Sequence, residues 1–170
     1  MKNVDLKLIS ELMQNSRRSD RELAKKLSVS QPTITRTRTR LEKEGLIKEY
    51  TLIPDFRKLG YTLASLTFVR LKSKLSREEI QKAREITTRD FLKNAPSEIV
   101  IFERGMGMGF TGVIIAFHKD YASYTRLKDR TREYDFIDQH RTDSFLIDLQ
   151  DEVHYRYLTF STLAQNLLES

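Results

Sequence analysis

Three arginines and a set of hydroxyl residues alternate between Gln31 and Arg40, and no acid intervenes before Leu41. An arginine can grip the O6 and N7 edge of guanine with two parallel N–H donors, while a threonine can meet a phosphate oxygen or a thymine methyl. On a wheel of about 100° per residue, Ile34 and Leu41 fall together, and Arg36, Thr39 and Lys43 fall opposite them. Thr33, Thr35 and Arg40 flank that outer row. Ahead of a merely solvated helix face, this pattern predicts a surface for a polyanion that carries base edges, namely double-stranded DNA, rather than for a reaction. Arg38 is the misfit, about 40° from the apolar stripe. A guanidinium there is costly unless its stem covers apolar surface while its head reaches Glu42 one turn later or a phosphate.

Other chemistries are poorly supplied. The chain has no cysteine, which removes disulfides, thiolate metal sites and thiol nucleophiles together, and its three histidines, His118, His140 and His154, stand far apart. No serine sits in a strained nucleophile motif and no carboxylates are spaced as an acid/base pair, so neither an enzyme nor a cofactor is expected. Gly105, Gly107 and Gly109 alternate as in phosphate-cradling loops, but such loops run from a strand into a helix. Here the segment leads into a strand, which favours a hairpin that needs positive φ.

The arginine-bearing segment needs a helix to present it. Leu6, Ile9, Leu12 and Met13 recur at helical spacing and predict a first helix from Asp5 to Asn15. Ser19 followed by Glu22 makes a capping box that opens a second helix, which runs to about Leu27 with Leu23, Ala24 and Leu27 inward. After Ser28-Val29, Ser30 is a good N-cap for a third helix with Pro32 in its first turn. That helix runs from Gln31 to about Glu44 and stops at Gly45, a residue suited to the left-handed conformation. Two short helices across a tight turn make a helix-turn-helix. Residues 46–53 then predict a strand that forms a wing.

Beyond Gly60 the pattern changes. Leu63–Lys72 alternates as a strand. Ser76 with Glu79 caps a helix through about Asn94, which Ala95-Pro96-Ser97 ends. Ile99–Glu103 and Phe110–Phe117 are strands around the glycine-rich turn, Asp120 opens a helix to about Glu133, and Thr142–Leu149 is a last strand. The order βαββαβ predicts a ferredoxin-like sandwich. Val153–Phe160 is aromatic-rich, and Ser161–Leu168 predicts a short helix with Leu163, Leu167 and Leu168 inward. Packing on the sandwich is the preferred role for Tyr155 and Tyr157, ahead of a pocket or a subunit contact.

Charge is distributed unevenly along these elements. The net charge is +6; residues 1–60 carry 14 basic and 8 acidic side chains, and the remaining 110 carry 16 of each. A polyanion-binding module joined to a neutral partner domain has this asymmetry, because phosphate contacts release counterions and supply affinity. With 39% hydrophobic and 32% charged residues, the chain suits a globular protein with a solvated exterior. No stretch approaches a membrane span and the N-terminus lacks the apolar core of a signal peptide, so a cytoplasmic protein without membrane partners is expected.

The segment from Arg21 to Arg36, Arg-Glu-Leu-Ala-Lys-Lys-Leu-Ser-Val-Ser-Gln-Pro-Thr-Ile-Thr-Arg, followed by Arg40-Leu41-Glu42-Lys43-Glu44-Gly45-Leu46-Ile47-Lys48, resembles the DNA-binding domain of the leucine-responsive and asparagine-responsive (Lrp/AsnC) regulators. The archaeal members look closest, and the match covers roughly residues 4–60. The resemblance implies that Gln31, Thr33, Thr35, Arg36 and Arg40 sit where such proteins touch DNA. Arg38 departs from it, since an aliphatic residue usually stands there. Further on, the resemblance continues in architecture and in one turn. It implies an effector domain of βαββαβ order that pairs sheets across a dimer interface and binds amino acids or related small molecules near the turn Gly105-Met106-Gly107-Met108-Gly109. The family usually places an acid before the following apolar run; here Thr111 and Gly112 stand there, which counts against amino-acid binding.

The expectation is therefore an α+β protein: a winged helix-turn-helix over residues 1–53, a linker over 54–62, and a ferredoxin-like dimerisation and effector domain with a C-terminal extension over 63–170. The function expected is that of a sequence-specific transcriptional regulator. It acts as a homodimer or higher oligomer on double-stranded DNA through Ser30, Gln31, Thr33, Thr35, Arg36, Arg38, Thr39, Arg40 and Lys43, and responds to a small-molecule effector at Gly105–Gly109. The alternative is a ligand sensor or interaction module whose N-terminal helices bind a protein.

Overall fold

The computed structural model describes residues 3–93, 96–153 and 158–169. His154, Tyr155 and Tyr157 lie outside the described residues, as does the Asn94-Ala95 end foreseen for the fourth helix. The chain forms two compact units, one from the N-terminal stretch up to Pro54 together with the C-terminal helix, the other from Asp55 to Val153.

In the first unit α1 (Asn3–Gln14), α2 (Asp20–Leu27) and α3 (Gln31–Lys43) pack around Leu8, Leu12, Leu23, Ala24, Ile34 and Leu41. Four of these, Leu8, Leu23, Ile34 and Leu41, are wholly buried, each stabilising the unit by about 1.5–3 kcal/mol. The stripe of α1 is rotated from the expected one. Leu8 and Leu12 form its centre, while Leu6, Ile9 and Met13 are only half-buried at its margins. The capping box of α2 forms as the sequence predicts, with the Glu22 amide donating to Ser19 Oγ and the Ser19 amide to Glu22 Oε2 at 2.7 Å. Ser28 ends α2 in the left-handed region.

Residues 46–53 do not form the predicted wing strand: Leu46 and Ile47 lie in a bend, the rest is irregular, and the segment has no ladder partner among the described residues. The last helix, α6 (Ser161–Glu169), also differs from expectation. It packs on α1 rather than joining the sandwich, with buried Ser10 donating to the Ala164 carbonyl at 2.7 Å. Ala164 is the fully buried residue of α6, and Leu163 and Leu168, expected inward, are half exposed.

The second unit is the βαββαβ sandwich. Strands β1 (Leu63–Leu71), β2 (Ile99–Gly107), β3 (Phe110–His118) and β4 (Ile137–Asp148) form an antiparallel sheet in the order β2-β3-β1-β4. The helices are α4 (Arg77–Thr87), continued as a π-helical segment over Thr88–Lys93, and α5 (Tyr121–Arg132). Strand β4 begins five residues earlier than the sequence suggests, because Ile137 pairs with Leu71 across a register shift. The expected linker is part of this unit: Phe56 stacks on Phe117 with ring centroids 4.0 Å apart, and the Thr62 amide donates to the His118 carbonyl. His118 is structural. It is buried, shares a 2.8 Å hydrogen bond with Ser65, meets the Tyr124 ring edge-on, and is pushed below the usual histidine range by burial against the pull of Glu98 and Asp120.

Register partners share a face of a sheet. On the helix-covered face Phe102, Ile114 and Val69 meet the core. On the other face Ile101, Ile115, Leu66 and Phe145 form one cross-strand row, and Val113 and Phe68 join Asp143 in the next. Among the described residues no helix of the second unit covers that face, and Phe145 is 64% exposed.

Candidate nucleic-acid interface

Local rules set the limits of α3. Ser30 Oγ accepts from the Thr33 amide at the start, with Pro32 in the first turn, and Gly45 at φ +71° ends the helix. There the Gly45 amide donates to the Glu42 carbonyl and the Leu46 amide to the Leu41 carbonyl, so two orphan carbonyls of the last turn are satisfied. Ser30 was placed on the DNA face by sequence reasoning; its hydroxyl is spent on the cap and on Thr33 Oγ1 at 2.8 Å. Ser30→Ala should therefore cost about 1 kcal/mol of stability in a denaturant titration. A variant as stable as the parent would show that the cap contributes nothing here.

With Ile34 and Leu41 buried, Gln31, Thr33, Thr35, Arg36, Thr39 and Lys43 are exposed along the opposite side. The wheel predicts this side correctly. It does not predict what two of the arginines do. Arg40 donates to Asp5 Oδ1 at 2.6 Å and to Glu44 Oε2 at 2.8 Å, and Asp5 is a buried carboxylate at the start of α1. These two hydrogen bonds, Asp5 first, raise the Arg40 pKa above its ordinary value. Arg38 does not reach Glu42. Its guanidinium pairs with Asp20 Oδ1 at 2.7 Å and donates to the Arg18 carbonyl, and it lies 5.8 Å from the centre of the Tyr50 ring. The half-buried guanidinium is tolerable because a carboxylate on α2 meets it, which the wheel of a single helix cannot reveal.

Asp20 does a second task, accepting from Thr35 Oγ1 at 2.6 Å. Asp5 and Asp20 thus hold α3 against α1 and α2. Sequence reasoning missed both, although Asp5 stands three residues before Leu8 on the buried stripe. Glu42, the partner foreseen for Arg38, instead accepts from the Tyr50 phenol at 2.7 Å. Desolvation first, and then that hydrogen bond, push the Tyr50 pKa up to about 12. Of the predicted cations, Arg36 and Lys43 remain on the outer face without an ion pair among the described residues.

The predicted effector turn is a hairpin. Gly105 and Gly107 belong to β2, and the reversal is made by Met108 and Gly109 alone, at φ +50° and +82°. Both central residues in the left-handed region give a two-residue turn of the type that matches strand twist. Met106 and Met108 are 98% and 81% exposed, and none of Gly105–Gly109 lines the apolar cavity between the sheet and α4. Among the described residues no helix is long and apolar enough to cross a membrane, and no three metal-ligating side chains cluster.

Residues 1–48 match the family described as winged helix-turn-helix DNA-binding. An HTH-type transcriptional regulator of Pyrococcus abyssi is 38% identical over 104 residues, covering 61% of this chain and 64% of its own length. The regulator LrpC of Bacillus subtilis is 40% identical over 70 residues, 41% of this chain and 49% of LrpC. The matches thus span less than two thirds of these curated relatives. The solved structure of LrpC superposes with a TM-score of 0.67 at 24% identity, covering 92% of this chain and 99% of LrpC. An AsnC family transcriptional regulator from Agrobacterium tumefaciens gives 0.70 at 21% identity, covering 96% and 99%. These relatives are regulators rather than enzymes. Residues 1–48 are a winged helix-turn-helix DNA-binding domain, and the chain shares the fold of LrpC and of the AsnC family regulator.

Proposed function

We propose that this chain is a sequence-specific DNA-binding transcriptional regulator that works as a homodimer, with α3 entering the major groove. The observation that carries the proposal is the outer face of α3, where Gln31, Thr33, Arg36, Thr39 and Lys43 are exposed without an acid between Gln31 and Leu41. Asp5 and Asp20 act from behind that face, as positioning groups. Arg36 is the base reader and Lys43 a phosphate contact. Arg38 and Arg40 serve chiefly to set the helix, since their guanidinium groups are engaged within the unit.

Homodimerisation is supported by the uncovered sheet face. Leu66, Ile115, Phe145 and Ile101 form a contiguous apolar row of a kind that monomeric proteins seldom leave to water. A two-fold contact through this face pairs two reading heads, so the operator is a rough palindrome with half-sites about one or two helical turns apart. An effector that binds two dimer forms unequally would change the spacing of those heads. With Met106 and Met108 exposed at its tip, the Gly105–Gly109 hairpin joins an effector site together with further surface.

The test is anisotropy of a labelled operator duplex, selected from random sequence, titrated with the protein at rising salt. Affinity should fall about a hundredfold or more between about 50 and 200 mM salt, as several neutralised phosphates regain counterions. Recovery of no preferred sequence, or an affinity that barely responds to salt, would favour the protein-partner reading of the N-terminal helices instead.

A further inference from the structure

Between the helix-covered face of the sheet and α4 lies a cavity of about 280 Å³, just under the usual range of small-molecule sites and open at one edge. Its walls are Val69, Phe102 and Ile114 from the sheet, Ile80 and Ala83 from α4, and Phe136 before β4. Thr87, Thr88, Thr111 and Thr131 add hydroxyls around this apolar centre, so the site suits a ligand with an apolar body and a polar end. Where α4 reaches Thr88 at the cavity wall it widens into the π-helical segment, a departure from regular geometry that recurs at functional sites.

Charge enters at the edge. Arg84 on α4 and Arg104 on β2 both line the cavity, both are exposed, and neither has an ion-pair partner among the described residues. Glu103 also borders it, but strand alternation sends its side chain to the far face of the sheet. Its register partner is Val113, whereas Arg104 pairs with Gly112 and shares its row with Val69. The cavity therefore offers two guanidinium groups for an anion and no carboxylate for an ammonium.

We propose that this cavity binds a small monocarboxylate with a compact apolar body, an aryl or branched alkyl acid, whose carboxylate is held by Arg84 and Arg104. The site is separate from the Gly105–Gly109 hairpin, and its ligand is an acid without an ammonium group rather than an amino acid. The proposal does not depend on the DNA-binding reading, and its test uses no DNA, so either can fail alone.

Isothermal titration calorimetry and thermal shift on the full chain, with phenylacetate and 4-methylpentanoate as probes, decide it. At least one acid should bind and raise Tm, while phenethylamine and phenylalanine bind at least about tenfold more weakly. The surface double variant Arg84→Glu/Arg104→Glu should keep the unliganded Tm and lose about tenfold or more in affinity for the acid. Ala83→Leu, which fills the volume, should abolish binding; if that variant fails to fold, the arginine pair still decides. No binding of either acid at about 10 mM, equal affinity in the double variant, or phenylalanine binding as tightly as phenylacetate would each overturn the proposal.

Discussion

Phe145→Asp is expected to turn the dimer into a monomer and to weaken operator binding by about a hundredfold or more. Phe145 is 64% exposed in the protomer, so the aspartate costs the isolated fold little. In a two-fold contact, however, the substitution is met twice, since each copy contributes the same patch. It places two carboxylates within an apolar layer where Leu66 and Ile115 are the register neighbours, and a buried unpaired charge opposes association strongly. The loss of DNA affinity follows from geometry alone. Two linked heads bind their half-sites at a high effective concentration, and a single head forfeits that gain without losing any contact of its own. Light scattering gives the mass, circular dichroism checks the fold, and anisotropy gives the affinity. A folded variant that stays dimeric would place the subunit contact elsewhere.

The second large effect separates two arginines four residues apart on one helix. Arg36→Ala should weaken operator binding by about 1–3 kcal/mol, roughly 5- to 150-fold, and relax preference at one base pair while leaving Tm unchanged. Arg40→Ala should behave in the opposite manner. It removes the guanidinium that faces the carboxylate of Asp5, which is only 3% exposed, and a buried charge that loses its countercharge is destabilising. A fall in Tm of roughly 5–10 °C is expected, along with a DNA defect that is relieved when Asp5→Asn is combined with Arg40→Ala. If Arg40→Ala kept its Tm and lost sequence preference, Arg40 would be a base reader and the positioning role would fall. If Arg36→Ala bound the operator as tightly as the parent, the reading face would be misplaced.

Much of this molecule is legible residue by residue because it rests on contacts within about four positions along the chain. Ser19 with Glu22, Ser76 with Glu79, Ser30 at the head of α3 and Gly45 at its end each satisfy backbone groups that any helix end exposes. The burial of Ile34 and Leu41 follows from their spacing, as does the exposure of Arg36, Thr39 and Lys43. The βαββαβ order follows from alternation and capping, although β4 begins at Ile137, where a register shift rather than a pattern starts the pairing.

What composition and spacing cannot specify is the partner of a group across space. Arg40 looks like a neighbour of Arg36 until Asp5, thirty-five positions away, is brought against it. Arg38 likewise looks destined for Glu42 until Asp20 closes on it from α2. The same reason holds for residues 46–53, whose strand propensity goes unused for want of a partner strand, and for α6, whose Ala164 finds Ser10 of α1 rather than the sandwich. A charge pair or a helix contact is selected by the free energy of the whole packed arrangement, which is non-local. The chain's own order settled which face α3 turns outward; the tertiary structure decided which of its arginines are engaged within the unit, because ion pairs form across space.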